Sequence, residues 1–203
     1  MPIVEVRNAG YQYPGTFAWV FRRFNMEIEP GETIRITGRN GSGKSTLLKS
    51  LSRLLELTEG EIRYKPAIKV AYMNQFSGDM LAKDLSIAEQ FKAVTAPARY
   101  PSIPPADMLE QFGLGLQDRL GAFVGHLSGG ERQIVALLCV VAAGANVLCL
   151  DEFTSALDER SIEVTDKALS YVKAAENSSL ILVNHTGAAA HVDREIHIDH
   201  REK

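Results

Sequence analysis

Nine consecutive residues, Gly38-Arg39-Asn40-Gly41-Ser42-Gly43-Lys44-Ser45-Thr46, have the make-up of an anion cradle. They match the pattern G-x-x-x-x-G-K-[ST] at every fixed position. Glycines let a loop backbone curl until successive N–H groups face one anion. A helix starting at the end of the loop adds partial positive charge behind them. In such a loop Lys44 would reach the β- and γ-phosphates of a nucleotide, and the Ser45 hydroxyl would bind magnesium. Gly38, Asn40, Gly41, Ser42, Gly43 and Thr46 complete the binding set. A glycine-rich turn that binds nothing requires neither the lysine nor the hydroxyl.

Two further stretches carry chemistry. Val147-Leu148-Cys149-Leu150-Asp151-Glu152 runs four apolar residues into two carboxylates. The run reads as a central strand, and α/β sheets place ligands at the C-terminal ends of such strands. There Asp151 would hold magnesium and Glu152 would polarise an attacking water as general base. A surface acidic pair ending a strand is the plainer alternative. In Leu127-Ser128-Gly129-Gly130-Glu131, Ser128 and Glu131 form a capping box. Gly129 and Gly130 leave backbone N–H groups bare at the helix start, which makes a second anion site. Capping alone also explains S-x-x-E, so its position between the phosphate loop and the Asp-Glu strand carries the functional reading.

The elements that must position these residues follow from periodicity. Residues 33–37 read as a strand behind the turn Pro30-Gly31-Glu32. Residues 45–55, with Leu47, Leu48, Leu51, Leu54 and Leu55 at helical spacing, read as the helix behind the loop. Residues 3–7 alternate as a strand, 11–15 read as a turn with two aromatics, and 17–28 as a strand pair or one bent strand. Further strands are expected at 60–64, 68–73, 146–150, 179–183 and 194–199. Ser86 and Glu89 cap a helix to about Val94. Pro97, Pro101, Pro104 and Pro105 punctuate a loop. Helices are expected at 106–112, 117–120, 128–143 and 158–174. Strands alternating with helices imply an α/β fold with a mostly parallel sheet. About 77–126 reads as a small inserted helical subdomain.

Composition bounds the function. The 203 residues are 45% hydrophobic and 23% charged with a formal net charge of −3, ordinary for a globular domain. No broad basic face calls for nucleic acid or anionic lipid. Cys139 and Cys149 lie in apolar runs and read as reduced core residues. No signal peptide and no apolar run of membrane length is present, so a cytoplasmic protein is expected, with any membrane role supplied by separate subunits.

With its phosphate loop, its LSGGE stretch and its Asp-Glu strand in that order, the chain resembles the nucleotide-binding subunit of ATP-binding cassette (ABC) transporters over essentially all 203 residues. The resemblance implies a phosphate-loop nucleoside triphosphatase core, with a small antiparallel β-subdomain and the inserted helical subdomain at 77–126. The core is 1–76 with 127–203, all within one ABC ATPase domain. It implies ATP and Mg2+ as bound groups, and hydrolysis of ATP to ADP and phosphate. Tyr13 matches the aromatic that stacks on adenine, with Tyr11 as its competitor. Gln75 matches the glutamine that touches magnesium and water. Residues 155–158 match the loop crossing a dimer interface, where Asp158 also caps the next helix. His185 matches the histidine near the γ-phosphate.

Ser128, Gly129 and Gly130 would close on the nucleotide of a second copy, and transmembrane permease subunits would anchor the pair to the inner face of the membrane. His191, His197 and His200 have no metal-ligand spacing. The chain departs from the family at Phe153, where proline is usual, in the short span from Lys44 to Gln75, and in the short stretch after His185, which leaves no room for a regulatory domain. A DNA-repair or chromosome-maintenance ATPase would carry a coiled coil or zinc inserts between Thr46 and Leu127, where only about eighty residues lie without heptads or cysteine quartets. A translation-factor ATPase would carry two cassettes. A structural subunit with dead sites would not need Glu152, Ser128, Gly129 and His185.

Overall fold

The computed structural model describes residues 1–95, 105–110, 115–155, 157–176, 178–183 and 191–199. In chain order its elements are β1 (Val4–Gln12), β2 (Trp19–Ile28), β3 (Thr33–Thr37), α1 (Lys44–Leu51), β4 (Glu59–Tyr64), β5 (Val70–Asn74), α2 (Ile87–Thr95), α3 (Pro105–Glu110), α4 (Gly129–Ala142), β6 (Val147–Asp151), α5 (Glu159–Glu176), β7 (Ser179–Val183) and β8 (Arg194–His197). Short 3-10 turns occupy Ser77–Met80, Gln117–Arg119 and Val124–His126.

A five-stranded sheet of order β5-β6-β7-β3-β8 has parallel pairing throughout. Its strands β6 and β7 are buried at every position, as expected for parallel strands covered on both faces. Side-chain alternation divides them between two cores. Leu148, Leu150, Leu180 and Leu182 pack beneath α4 and α5, together with Ile87 and Phe91 of α2 and Leu109 of α3. Val147, Cys149, Ile181 and Val183 face the other way, onto Leu47, Leu48 and Leu51 of α1 and onto the second sheet. That second sheet is antiparallel, of order β2-β1-β4. The chain thus has the α/β architecture expected, with a parallel core sheet, a small antiparallel sheet and helices.

Several boundaries differ from the sequence expectation. β1 extends through Tyr11 and Gln12, so only Pro14 and Gly15 turn. Residues 19–28 form one strand with an irregular register, Ala9 opposite Phe24 but Tyr11 opposite Phe21, and Arg23 there has φ 50°. The extra residue is a bulge that bends the strand. The helix behind the phosphate loop stops at Leu51, not Leu55. Arg53 takes φ 60°, and the Leu54 and Arg53 N–H groups donate to the Lys49 and Ser50 carbonyls at 2.9 and 3.1 Å. This two-bond pattern is a Schellman end, and it leaves Leu54 exposed. β8 is shorter than expected, and α3 is described over Pro105–Glu110, so the rest of the helix expected at 106–112 lies outside the described residues. Pro97, Pro101, Pro104, Phe112, Gly113 and His200 lie outside the described residues. Cys139 and Cys149 are free and buried, and burial pushes each thiol up to about 12.

Candidate active site

The phosphate loop leaves β3 and feeds α1. Gly43 caps α1 with φ 98° and ψ 9°. A side chain there would be strained, and its Cβ would lie 2.7 Å from Val20 Cγ1. The loop closes through Ser42 N–H to Arg39 C=O at 3.0 Å, and the helix starts with Leu47 N–H to Gly43 C=O at 2.8 Å. Lys44 is almost buried, and its ammonium donates to the Gly38 and Arg39 carbonyls, both at 3.0 Å. The cation is thereby held at the loop instead of reaching into solvent. A cavity of about 400 Å³ opens here, lined by Tyr13, Val20, Asn40, Gly41, Gly43, Lys44, Ser45, Thr46 and Glu152. Gly38 and Ser42 are not among the lining residues, and Ser42 is buried.

The two tyrosines separate clearly. Tyr11 is buried on the β1–β2 core, whereas Tyr13 is 47% exposed and its hydroxyl lies 3.0 Å from Thr46 Oγ1. Tyr13 stands edge-on to Tyr11 with centroids 5.1 Å apart, so its ring is braced from below while it lines the cavity. Val20, which contributes an apolar wall, carried no sequence signal of its own.

Asp151 ends β6 and is almost buried. Its Oδ2 accepts a hydrogen bond from the Tyr72 hydroxyl at 2.8 Å, and its buried Oδ1 has no hydrogen-bond partner among the described residues. Burial, then the bond to Asp151, raises the Tyr72 phenol well above its ordinary value. A buried carboxylate oxygen without a partner is costly unless a cation satisfies it. The residues therefore fit a magnesium ion held by Asp151, with the Ser45 hydroxyl in the adjoining cavity. Next, Glu152 turns off the strand at φ 51°, its N–H donating to Val183 C=O at 3.0 Å. A left-handed conformation at a non-glycine residue costs roughly 1–2 kcal/mol. Here it ends the strand and brings Glu152 to the cavity wall.

Gln75 is not part of that wall. Its Oε1 accepts from Ser155 Oγ at 2.6 Å, and the same hydroxyl lies 2.8 Å from Glu152 C=O. Gln75 instead lines a neighbouring groove of about 200 Å³ with Gly129, Phe76, Gly78, Asp79, Arg132, Gln133 and Leu157. Ser128 caps α4 in the expected capping box, accepting from Glu131 N–H at 3.2 Å while its own N–H donates to Glu131 Oε2 at 2.7 Å. Burial alone would raise the Glu131 carboxyl, but the Ser128 bonds and Arg119 outweigh it and hold it below the usual range. None of Ser128, Gly129 and Gly130 lines the phosphate-loop cavity. Asp158 caps α5, accepting from Ser161 N–H at 2.7 Å. His185 lies outside the described residues.

One buried side chain that sequence reasoning missed ties these pieces together. Gln133 on α4 donates through Nε2 to Asn74 C=O at 2.6 Å and to Phe153 C=O at 3.3 Å. Its Oε1 accepts from Gly78 N–H at 2.7 Å. The helix that begins at Gly129 is thus clasped to the segment carrying Gln75 and to the residue after Glu152. Phe153 fills the core beneath α4 and α5 and is fully buried.

A family model described as ABC transporter matches residues 21–155. The chain belongs to the ABC transporter family. Among curated relatives, the methionine import ATP-binding protein MetN of Chlamydia abortus is 34% identical over 190 residues, 82% of this chain and 54% of that protein. The energy-coupling factor transporter ATP-binding protein EcfA1 of Lactiplantibacillus plantarum is 31% identical over 202 residues, 91% of this chain and 70% of that protein. An ATP-dependent lipid A-core flippase of Alkalilimnicola ehrlichii is 29% identical and is matched over only 36% of its length. The cassette therefore spans about a third of that flippase and about half of MetN.

Two solved structures share the cassette's fold. An ABC transporter ATP-binding protein from Pyrococcus furiosus superposes with a TM-score of 0.75 at 24% identity, covering 96% of both chains. An ATP-binding subunit of an ABC transporter superposes at 0.79 and 23% identity, covering 98% of this chain and 86% of the other. Among the described residues no helix is long and apolar enough to cross a membrane.

Proposed function

We propose that this cassette binds and hydrolyses ATP at a site shared head-to-tail by two copies, and that the cycle drives substrate movement through separate transmembrane subunits. The observation that carries the reading is the division of the anion-binding parts. The phosphate loop and Glu152 line one cavity, whereas Gly129 lines a different groove. Among the described residues a Cβ built on Gly129 meets nothing within 4 Å, while one on Gly130 would collide with Ser161. Packing among the described residues therefore explains the second glycine but not the first, and a close approach by another body would explain it.

In this reading the adenine stacks on Tyr13 against Val20, and the loop N–H groups with Lys44 hold the phosphates. A magnesium ion held by Asp151 and Ser45 would neutralise charge on the phosphates. Glu152 would take the proton of the attacking water, and His185 would contact the γ-phosphate. Closure would bring Gln75 to the phosphate side and Ser128, Gly129 and Gly130 onto the partner's nucleotide. The segment 77–126 would act as the helical subdomain that moves with Ser128. Phe76 and Met80 are 59% and 85% exposed beside the Gln75 groove, which supports docking of a membrane subunit there and a peripheral position on the cytoplasmic face. The names of the relatives point to different cargoes, so they favour none for this cassette.

The test is Glu152→Gln, which keeps shape and cannot accept the proton. Hydrolysis should fall by about 10²–10⁴-fold, and size-exclusion chromatography should show an ATP-dependent dimer. Adding Ser128→Arg should abolish the dimer and spare ATP binding by the monomer. No dimer at confirmed ATP occupancy would refute a homodimeric composite site.

A further inference from the structure

We propose that Tyr72 is a positioning residue for Asp151: its hydroxyl fixes one carboxylate oxygen so that the other is presented to the divalent cation. The inference rests on the reading of Asp151 as the metal-holding carboxylate.

The geometry arises from strand register. β5 and β6 pair in parallel with Tyr72 opposite Cys149 and Asn74 opposite Asp151. Alternation puts Cys149 and Asp151 on one face of β6. Cys149 and Tyr72 both pack in the core on the α1 side. The phenol reaches diagonally, one step of two residues, to Asp151 Oδ2 at 2.8 Å, a span open to long aromatic side chains. On its other side the ring meets α1, where the Lys49 ammonium lies 5.9 Å from its centroid, at the outer limit of a cation–π contact. One side chain therefore joins the helix that begins at Lys44 to the carboxylate on β6.

The consequence is an asymmetric carboxylate. A free carboxylate at a strand end can rotate and offer either oxygen. With Oδ2 held by Tyr72, rotation is restricted, and Oδ1 is the buried oxygen with no partner among the described residues. Groups that hydrogen-bond a metal ligand orient it, and their loss typically costs 10–100-fold in metal affinity or activity. Tyr72→Phe removes one oxygen atom and leaves the ring, so the packing on α1 and Cys149 is retained.

The experiment compares the full chain as wild type, Tyr72→Phe and Asp151→Asn. Manganese binding is measured from the free-ion electron paramagnetic resonance signal at saturating nucleotide. ATP affinity is measured separately in excess chelator. Tyr72→Phe should weaken manganese binding by about tenfold, with ATP affinity in chelator unchanged within about a factor of two. Asp151→Asn should weaken manganese binding at least as much. If Asp151→Asn weakens the metal and Tyr72→Phe does not, the positioning role is wrong while the reading of Asp151 stands. If neither variant changes metal affinity, Asp151 does not hold the metal and both fall. If Tyr72→Phe lowers ATP affinity in chelator in step with metal affinity, Tyr72 supports the cradle as a whole, which also overturns the proposal.

Discussion

Gln133→Met tests whether the clasp beneath the site holds the fold together. Methionine has nearly the same length and volume, so the change removes hydrogen bonding with little change in packing. Three contacts disappear: Nε2 to Asn74 C=O at 2.6 Å, Nε2 to Phe153 C=O at 3.3 Å, and Gly78 N–H to Oε1 at 2.7 Å. Gln133 is 2% exposed and Gly78 is buried, so water does not readily replace these bonds. Each buried group left unsatisfied costs about 1–3 kcal/mol. Counting the two short bonds and discounting the long one gives a loss of about 2–6 kcal/mol. That is a large part of the roughly 5–15 kcal/mol of a typical domain.

The assay is urea unfolding followed by circular dichroism, with the slope m required to stay unchanged. A loss under about 1 kcal/mol would refute the argument. A second variant gives a sign. Gln133→Glu keeps the acceptor for Gly78 but turns the donor facing Asn74 C=O into a second oxygen, which is tolerated only when protonated. Its folded pKa is then raised above the unfolded value of about 4.3. The added stability is fully present below that value and lost as pH rises through the folded pKa. Gln133→Glu should therefore be less destabilised relative to wild type at low pH than at high pH.

Two further outcomes follow from packing and charge. Phe153→Ala should cost about 3–5 kcal/mol in the same urea assay, because the ring is fully buried against α4 and α5; a loss near zero would mean that Phe153 does not fill that core. Asp193 is held below the usual carboxylate range by Thr33 N–H, against some burial, and by Lys173. With a depressed folded pKa its contribution is present above the unfolded value and lost as pH falls through the folded one. Asp193→Asn should lower stability at neutral pH and flatten the acid limb of the stability curve; an unchanged acid limb would show that the bond to Thr33 carries no net stability.

The local patterns were legible because their chemistry is contiguous. The glycine loop needs its own residues and the next helix turn, and the Ser128–Glu131 capping box closes within four residues. The all-apolar runs at 147–150 and 180–183 could be read as buried strands from hydrophobicity alone, and both are buried at every position. Helix ends were less legible. The leucines at 54 and 55 continue the helical period, yet a left-handed Arg53 stops α1 at Leu51. Periodicity records which faces can be apolar, and says little about where the backbone turns.

From the sequence alone came the phosphate cradle, the order of strands and helices, and the carboxylates at a strand end. These depend on residues a few positions apart. Tertiary structure decided that Tyr11 enters the core while Tyr13 faces the cavity. It also decided that Tyr72 meets Asp151, 79 residues away, and that Gln133 meets Gly78, 55 residues away. Those pairings are set by the register of β5 on β6 and the seating of α4 against the segment after β5. Register is chosen by burying whole faces at once, so no single residue announces its partner in the chain.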